Sequence, residues 1–458
     1  MATYNNIARE RNSESLMTKP GNAGKRSPDS PSSHGDAISL VQRGNLKNLE
    51  ITLRKQWRLG QNIVLCWSAD ERGLLVIFVP HYFLGNYCAG DEQHRGNEEF
   101  IRELISGERR KTREEMFAVS ERLGVSPTFI KLDTALSEES PVLRQVEQLI
   151  RRYGLSYVDS RAVLLFDIVE FSLYTPFEQA SQLNSLSYSL NSAYNKLLAR
   201  GIEINFARTT TGDGYYIWNR SLGPEANLDL FYFMLLVVAD NAAARAASRG
   251  NTVPVIRSAY HIGGHYELYQ AEGVNPTVLS YIVGDVTIEL ARMVGLAQSE
   301  QILIGDFATH IGEGALSSAK VSTPAFVAAC HRRLSSLSGI QLAGKTISSI
   351  GCRLSEHEDD NGESIPRRFR ITDKHGLSRY AFNLELTVDT GEETTRLGLD
   401  EARLPGHAPA SDEVPADSTA PLPPCPEPDH PAPPASAEEL FDDLAGLLKK
   451  RHGSITEE

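Results

Sequence analysis

RAVLLFDIVEFS (Arg161–Ser172) and, after one helix-length segment, INFARTTTGDGYYIW (Ile204–Trp218) decide how this chain is read. Each sets an aspartate, Asp167 or Asp213, at the end of a short apolar run beside residues that permit a sharp turn. The apolar run before Asp167 puts it at the exit of a buried strand, and Asp213 falls in the turn of a hairpin. If the two strands are neighbours, both carboxylates converge at one edge of a sheet. Hard oxygen ligands of that kind hold Mg²⁺ or Mn²⁺, with substrate phosphates completing the shell. The same pattern also fits a turn cap at Asp213 and a helix cap at Asp167, so on spacing alone both readings stand.

Outward from this pair, residues 155–387 alternate strand and helix. AVLLF is followed by a helix from Pro176 to Arg200, the hairpin Ile202–Arg208 with Tyr215–Trp218, and a helix from Glu225 to Arg249. The strand VIRSAYHIGG, a helix over Asp285–Val294, the strand QILIG, a helix over Ser322–Ser338 and the strand Ser378–Leu386 complete the run. The fold class is α+β: helices packed on a mostly antiparallel sheet, with the hairpin as its central pair. Before it, Pro141 opens a linking helix over 140–154, with Ser140 as cap and Leu143, Val146, Leu149, Ile150 and Tyr153 on one face. Residues 37–139 form a small α/β region. It contains a strand hairpin (Ile63–Trp67 with Leu74–Val79) and helices over Glu98–Ser106 and Thr112–Leu123.

The ends read differently. Residues 1–36 are polar and aperiodic, the composition of a disordered arm. Eleven of the 23 prolines fall between Pro405 and Pro434, which makes 388–435 an extended linker rather than core. Beyond it, Ser436 and Glu439 form a capping box. Leu440, Phe441, Leu444, Leu447 and Leu448 then make the apolar stripe of a short helix over 436–451.

Composition excludes several functions. With 46 basic and 59 acidic residues, the net charge of −13 argues against broad nucleic-acid or anionic-membrane binding. The five cysteines are scattered without a CxxC pair, which suits a reducing cytoplasm. The N-terminus lacks the apolar core of a signal peptide, and the longest apolar run, Leu230–Ala239, is half of what a membrane span needs. The chain reads as a cytoplasmic, soluble protein with no membrane span. His261 and His265 share the spacing of helical zinc ligands, but HIGGH lies in a strand, where that spacing does not bring them together.

Four segments together resemble the catalytic domain of class III nucleotidyl cyclases. LLFDIVEFS is similar to the family's F-x-D-I-x-x-F-[ST] strand, TGDGYYIW to its G-D-x-[FY] hairpin and SAYHIGGHYE to its R-x-G-I-H-x-G strand. YIVGDVTIELARMVGLAQSEQILIG resembles its helix and following QILI strand, and RITDKHGLSRYAF fits the closing strand less closely. The resemblance implies a homodimer with sites built from both protomers. It also implies two divalent ions, Mn²⁺ or Mg²⁺, on Asp167, Asp213 and the carbonyl of Ile168. By the same likeness Arg292 is the arginine that stabilises charge on the α-phosphate, Lys374 meets the terminal phosphates, and Phe166, Arg208, Thr209 and Tyr281 line the substrate. The reaction implied is attack of the ribose 3′-oxygen on the α-phosphorus with loss of pyrophosphate.

The departures point to the base. The lysine and acidic residue that read adenine in purine cyclases are replaced by Thr209 and Tyr281, and the ribose-orienting asparagine by Ile288, one turn before Arg292. Glu170 stands where the family often has glycine. A retained metal site with altered base-reading positions resembles the bacterial uridylate and cytidylate cyclases of Pycsar anti-phage systems, in which a separate effector reads the cyclic nucleotide. Arg208, Thr209 and Thr210 supply donors that favour the 4-carbonyl of UTP over the 4-amino group of CTP. Ile288 keeps a nucleotide- or partner-binding module without activity in view, and a purine cyclase reading its base through other residues remains the third possibility.

Overall fold

The computed structural model describes residues 38–58, 63–89, 96–272, 277–312, 319–358, 362–372 and 378–399, with the side chains of 269–280 excepted. The N-terminal arm, the linker from 400 onward, the 436–451 helix and Lys374 lie outside the described residues.

Helix α1 (Leu40–Arg58) leads into an antiparallel three-stranded sheet, β1 (Ile63–Asp70), β2 (Gly73–Val79) and β3 (Thr128–Lys131), in that order across the sheet. Helices α2 (His81–Cys88), α3 (Asn97–Ser106) and α4 (Arg113–Leu123) lie between β2 and β3. The Thr112 start of α4 is a full capping box: Thr112 Oγ1 accepts from the Glu115 amide, and the Glu115 carboxylate accepts from the Thr112 amide. Neither α1 nor α2 is expected from the sequence. The buried face of α1 is narrow, with Asn45, Leu49 and Leu53, and α2 follows Pro80 and contains Gly85.

Helix α5 (Ser140–Arg151) buries Val142, Val146, Leu149 and Ile150 against the N-terminal sheet and α1. Its cap position is Glu139 rather than Ser140, and no side chain caps it. Then comes the fold's longest-reaching connection, β4 (Leu155–Ile168), whose first residues pack on the N-terminal unit and whose last residues carry Asp167.

After β4 come α6 (Pro176–Leu198), β5 (Phe206–Thr210), β6 (Gly214–Asn219), α7 (Pro224–Ala247), β7 (Ile256–Glu272), β8 (Thr277–Val283), α8 (Asp285–Leu296) and β9 (Ile302–Gly305). Helix α9 (Thr323–Arg333) precedes β10 (Ser349–Leu354), β11 (Arg368–Thr372), β12 (Ser378–Asp389) and β13 (Thr394–Leu397). Among the described residues the sheet has ten strands, ordered β10-β12-β9-β7-β4-β6-β5, with β11 and β13 also on β12 and β8 on β7. Every pairing is antiparallel except β7 with β9.

The mostly antiparallel α+β architecture is as expected, but its centre is not. The β5–β6 hairpin forms one end of the sheet, and β4 with β7 forms the middle. A local turn signal identifies a hairpin, whereas its rank in the sheet depends on pairings far apart in sequence. Strand pairing also runs past residue 387, because β12 reaches Asp389 and β13 folds back on it through the turn at Gly391. The polar strand TTRL gave little sign of this, since an edge strand can keep mostly exposed side chains.

The sheet's two faces are distinct. Leu164, Phe166 and Ile168 alternate toward α6 and α7, while Val163 and Leu165 lie under α8. Helix α7 is the described helix long and apolar enough to cross a membrane, yet Leu230, Phe231, Phe233 and Leu236 are fully buried in the core beside α6 and α9.

One buried cation joins the N-terminal unit to β4. Arg109, wholly inaccessible, donates to the carbonyls of Val64 in β1 and Leu155 in β4, and to Ser156 Oγ at 3.0 Å. Its own amide donates to Glu147 of α5 at 3.2 Å, and Glu147 also accepts from the Trp67 indole at 2.9 Å. Gly154 must be glycine, because a Cβ there would run into the Arg109 guanidinium. Arg109→Met should therefore lower unfolding free energy by roughly 3 kcal/mol, since it strands buried carbonyls that a charged donor now satisfies. Denaturant titration checks this, and a loss under about 1 kcal/mol would show that the guanidinium does not join the two parts.

Candidate active site

The site forms where β4, β6 and β7 end together. Asp167 lies opposite Gly214 on one side and Arg257 on the other. Gly214 has no room for a side chain, because a Cβ would strike the Phe166 carbonyl, so β6 closes tightly on β4. Gly212, at φ 103°, makes the preceding turn. Between these glycines sits Asp213. Its carbonyl accepts from the Ile168 amide at 2.9 Å, and its Oδ1 accepts from Thr211 Oγ1 at 3.1 Å. The turn is thus bonded directly to the end of β4, which brings the two aspartates together.

Asp167 is 8% exposed, and Arg257 Nε donates to its Oδ2 at 2.6 Å. Burial pushes the carboxyl above its ordinary range, Arg257 opposes that, and the Asp213 charge adds to it. A divalent cation fits this donor set: it would relieve the repulsion between two hard carboxylates and compete with the proton on Asp167. No cluster of three or more His, Cys, Asp or Glu that could hold a metal occurs among the described residues; two carboxylates alone are a partial oxygen shell, of the kind phosphate and water complete around Mg²⁺ or Mn²⁺.

Just beyond, Glu170 has φ 56° and leads into a single 3-10 turn, Phe171–Leu173. The left-handed conformation that suits glycine is therefore kept with a glutamate, at a cost on the order of 1 kcal/mol.

The other sequence candidates are spread over several elements. Phe166 is fully buried against the α6–α7 core, so its side chain does not line a substrate site; strand alternation sends it opposite to Asp167. Arg208 also turns away from Thr209. It donates to Ser187 of α6 at 2.8 Å and lies 5.3 Å from the Tyr215 ring centre. Thr209 is half-buried and pairs with Tyr216, whose hydroxyl donates to the Thr287 carbonyl at 3.0 Å. Tyr281 pairs with Leu268 in β8, one residue before Ile282, which packs under α8. On α8, Ile288 is 47% exposed and Arg292 half-buried one turn later.

Sequence reading did not single out Arg257, Tyr216, Glu289 or Arg379. Arg257 was visible only as the first position of the R-x-G-I-H-x-G likeness; its pairing with Asp167 required the β4–β7 register. The two histidines are in one strand on one face, about 13 Å apart along it, and have different partners. His261 Nε2 meets Glu289 at 2.7 Å. His265 lies 3.3 Å from Arg161, and burial with that neighbouring charge pushes it down to about 4.

Neither a scan against family models nor a search of curated proteins matches the chain. Solved structures do show likenesses. The guanylate cyclase domain of a rhodopsin fusion from Catenaria anguillulae, in complex with GTP, is 15% identical, covering 36% of this chain and 95% of that one at a TM-score of 0.27. An adenylyl cyclase from P. aeruginosa is 15% identical over 37% of this chain and 93% of that one, with a TM-score of 0.25. The guanylyl cyclase Cya2 is 11% identical over 55% and 98%, with a TM-score of 0.28.

The electrostatics give a test. Because the Asp167 pKa is raised in the fold, its stabilising contribution is present below the ordinary carboxylate pKa and lost as pH rises through the raised value. Asp167→Asn, an isostere of the protonated acid, should fold at neutral pH and lack that pH dependence. Mn²⁺ at ten to a hundred times its dissociation constant should stabilise the wild type by about 1.4–2.7 kcal/mol and the variant by much less. Equal metal-induced shifts in thermal unfolding would remove Asp167 from the metal site.

Proposed function

We propose that this protein is a homodimeric, cytoplasmic class III-type nucleotidyl cyclase that converts UTP to 3′,5′-cyclic UMP and pyrophosphate, a second messenger for a separate effector in anti-phage defence. The observation that carries the reading is that Asp167, opposite Gly214, and Asp213, whose carbonyl is bonded by the Ile168 amide, meet at the joined ends of β4 and the β5–β6 hairpin. The four family-like segments in family order support it.

Asp167, Asp213 and the Ile168 carbonyl would hold the divalent ions. When bound, such ions acidify the 3′-hydroxyl and neutralise the triphosphate. The remaining work belongs to the chain. Arg257 fixes the Asp167 carboxylate through the 2.6 Å bond and favours its ionised form. Arg292 supplies a permanent, planar positive charge for the α-phosphate as the 3′-oxygen bonds to phosphorus and the bond to pyrophosphate breaks. Lys374 would meet the terminal phosphates, and Thr209 with Tyr281 would border the base. Thr209 can donate to the 4-carbonyl of UTP, and the same hydroxyl can accept from the 4-amino group of CTP, so the product assay below decides between them. Val283, Ile288 and Leu296 leave apolar surface along β8 and α8, which suits contact with a second copy.

Ile288 also favours a second reading. An exposed isoleucine cannot hydrogen-bond a ribose, so a cyclase-like module that binds a nucleotide without turning it over competes with the enzyme.

Purified protein incubated with each nucleoside triphosphate and Mn²⁺ should release cyclic UMP, and Asp167→Ala or Asp213→Ala should abolish product while the fold persists. Cyclic CMP would change the substrate and cyclic AMP or GMP would return the protein to the purine cyclases. No product from any triphosphate, with phage extract added, would support the binding module. Undiminished turnover in either aspartate variant would sink the site.

A further inference from the structure

Helix α8 carries Arg292 but packs on the sheet mainly through apolar side chains, Val286, Leu290, Met293 and Val294. Such contacts fix which face of α8 meets the sheet, and a charge-assisted hydrogen bond adds a directional tie to them. One side chain on α8 is different. Glu289 lies one turn before Arg292, and each of its carboxylate oxygens has its own partner on the sheet. Oε2 meets His261 Nε2 of β7 at 2.7 Å, and Oε1 meets Arg379 Nε of β12 at 3.0 Å. The two partners lie on strands either side of β9.

The bond from His261 makes this a directed contact, to which Arg379 adds its charge as an ion pair without a hydrogen bond from Nε. His261 is 5% exposed, and its Nδ1 has no hydrogen-bond partner. A Cβ at position 305 would strike that nitrogen, so Gly305 is what lets the ring lie against β9. Burial would raise the Glu289 carboxyl, but the hydrogen bond and charge of His261, with Arg379 and Arg292 beyond, hold it below the ordinary range. An ionised carboxylate in this position is therefore favoured, and it is shared by three cationic or hydrogen-bonding neighbours, Arg292 among them.

We infer that Glu289 is a positioning residue for Arg292: its two-point attachment to His261 and Arg379 fixes the rotation of α8 that presents the Arg292 guanidinium to the reacting phosphate. The inference rests on the cyclase reading. It adds a residue that spacing alone shows as an ordinary charged helix position. Helix α8 is also held at its ends. Gly284 packs against the His265 backbone where a Cβ would not fit, and Arg257 Nη1 donates to the Ala297 carbonyl at 3.1 Å. Tyr216 of β6 adds a bond to the Thr287 carbonyl, and Glu289 supplies the charged tie between that point and Arg292.

The test is steady-state kinetics with UTP and Mn²⁺ on wild type, Glu289→Gln, Arg379→Gln and the double variant, with thermal unfolding of each. Gln keeps the size and can still accept from His261, but it loses the charge. Glu289→Gln should lose on the order of tenfold to a hundredfold in kcat, with KM within about twofold, because misplacing a catalytic group costs turnover more than ground-state binding. Arg379→Gln should lose less in the same direction, and the double variant no more than Glu289→Gln alone, since both act through one contact. A Glu289→Gln enzyme with kcat within about twofold of wild type overturns the inference, as does a loss confined to KM. If Glu289→Gln fails to fold, Arg379→Gln, whose side chain is 43% exposed, decides on the same kinetic split. A wild type inactive on every triphosphate overturns the proposed reaction and the inference with it, whereas an active wild type with an unchanged variant overturns the inference alone.

Discussion

The carboxylate of Asp167 is buried at the end of the central strand, where burial favours the proton, and the structure around it follows from opposing that with a cation and keeping the group within reach of Asp213. Arg257 can do the first only because β7 is in register with β4 over its final residues, which sets the guanidinium beside the carboxylate. The second requires β6 to approach β4 more closely than any residue but glycine permits at position 214. A buried, partly compensated carboxylate next to another is costly in an empty site. Such a cost is reasonable at a cation site, where the same repulsion favours the bound ion.

Part of this was legible in the residues. The apolar run AVLLF marks a buried strand with Asp167 at its exit, and the T-G-D-G sequence marks the turn that carries Asp213; both follow from local physics of one strand and one turn. Much of the order of elements through residues 155–387 is also visible, since α6, α7 and α8 have the length and apolar content of helices, whereas the strands β8, β10 and β11 were not read from the sequence. What was not legible depends on partners distant in the chain. Arg257 looks like an ordinary strand residue until its register with Asp167 is known, and Glu289 looks like a solvated helix position until His261 and Arg379 arrive from two strands. Phe166 and Arg208 show the converse: adjacency to a site residue in sequence puts a strand side chain on the opposite face.

The arginines near the candidate site show how an acidic protein can place oriented cations locally. Net charge is −13, yet Arg257 and Arg379 are directed onto carboxylates on the face under α8, and the charge of Arg292 reaches Glu289 from the same helix. Pairing of this kind keeps guanidinium groups oriented without building a broad basic patch, so local anion binding does not require general affinity for nucleic acid.

Arg257 has a second role that links the two halves of the site. Its Nε bonds Asp167 while its Nη1 bonds the carbonyl of Ala297, just past the end of α8, so one planar group spans from the aspartate-bearing end of β4 to the helix that carries Arg292. With Glu289 fixing the middle of that helix and Gly284 its start, the reacting groups stand on a scaffold tied at several points. The positions that depart from purine cyclases are elsewhere: Thr209 on the end strand β5, Tyr281 on β8 and Ile288 on the outward side of α8. Substitution there leaves the ties at Asp167, Glu289 and Ala297 intact. On the proposed reading, base preference could therefore change while the groups proposed to meet the phosphates keep their geometry.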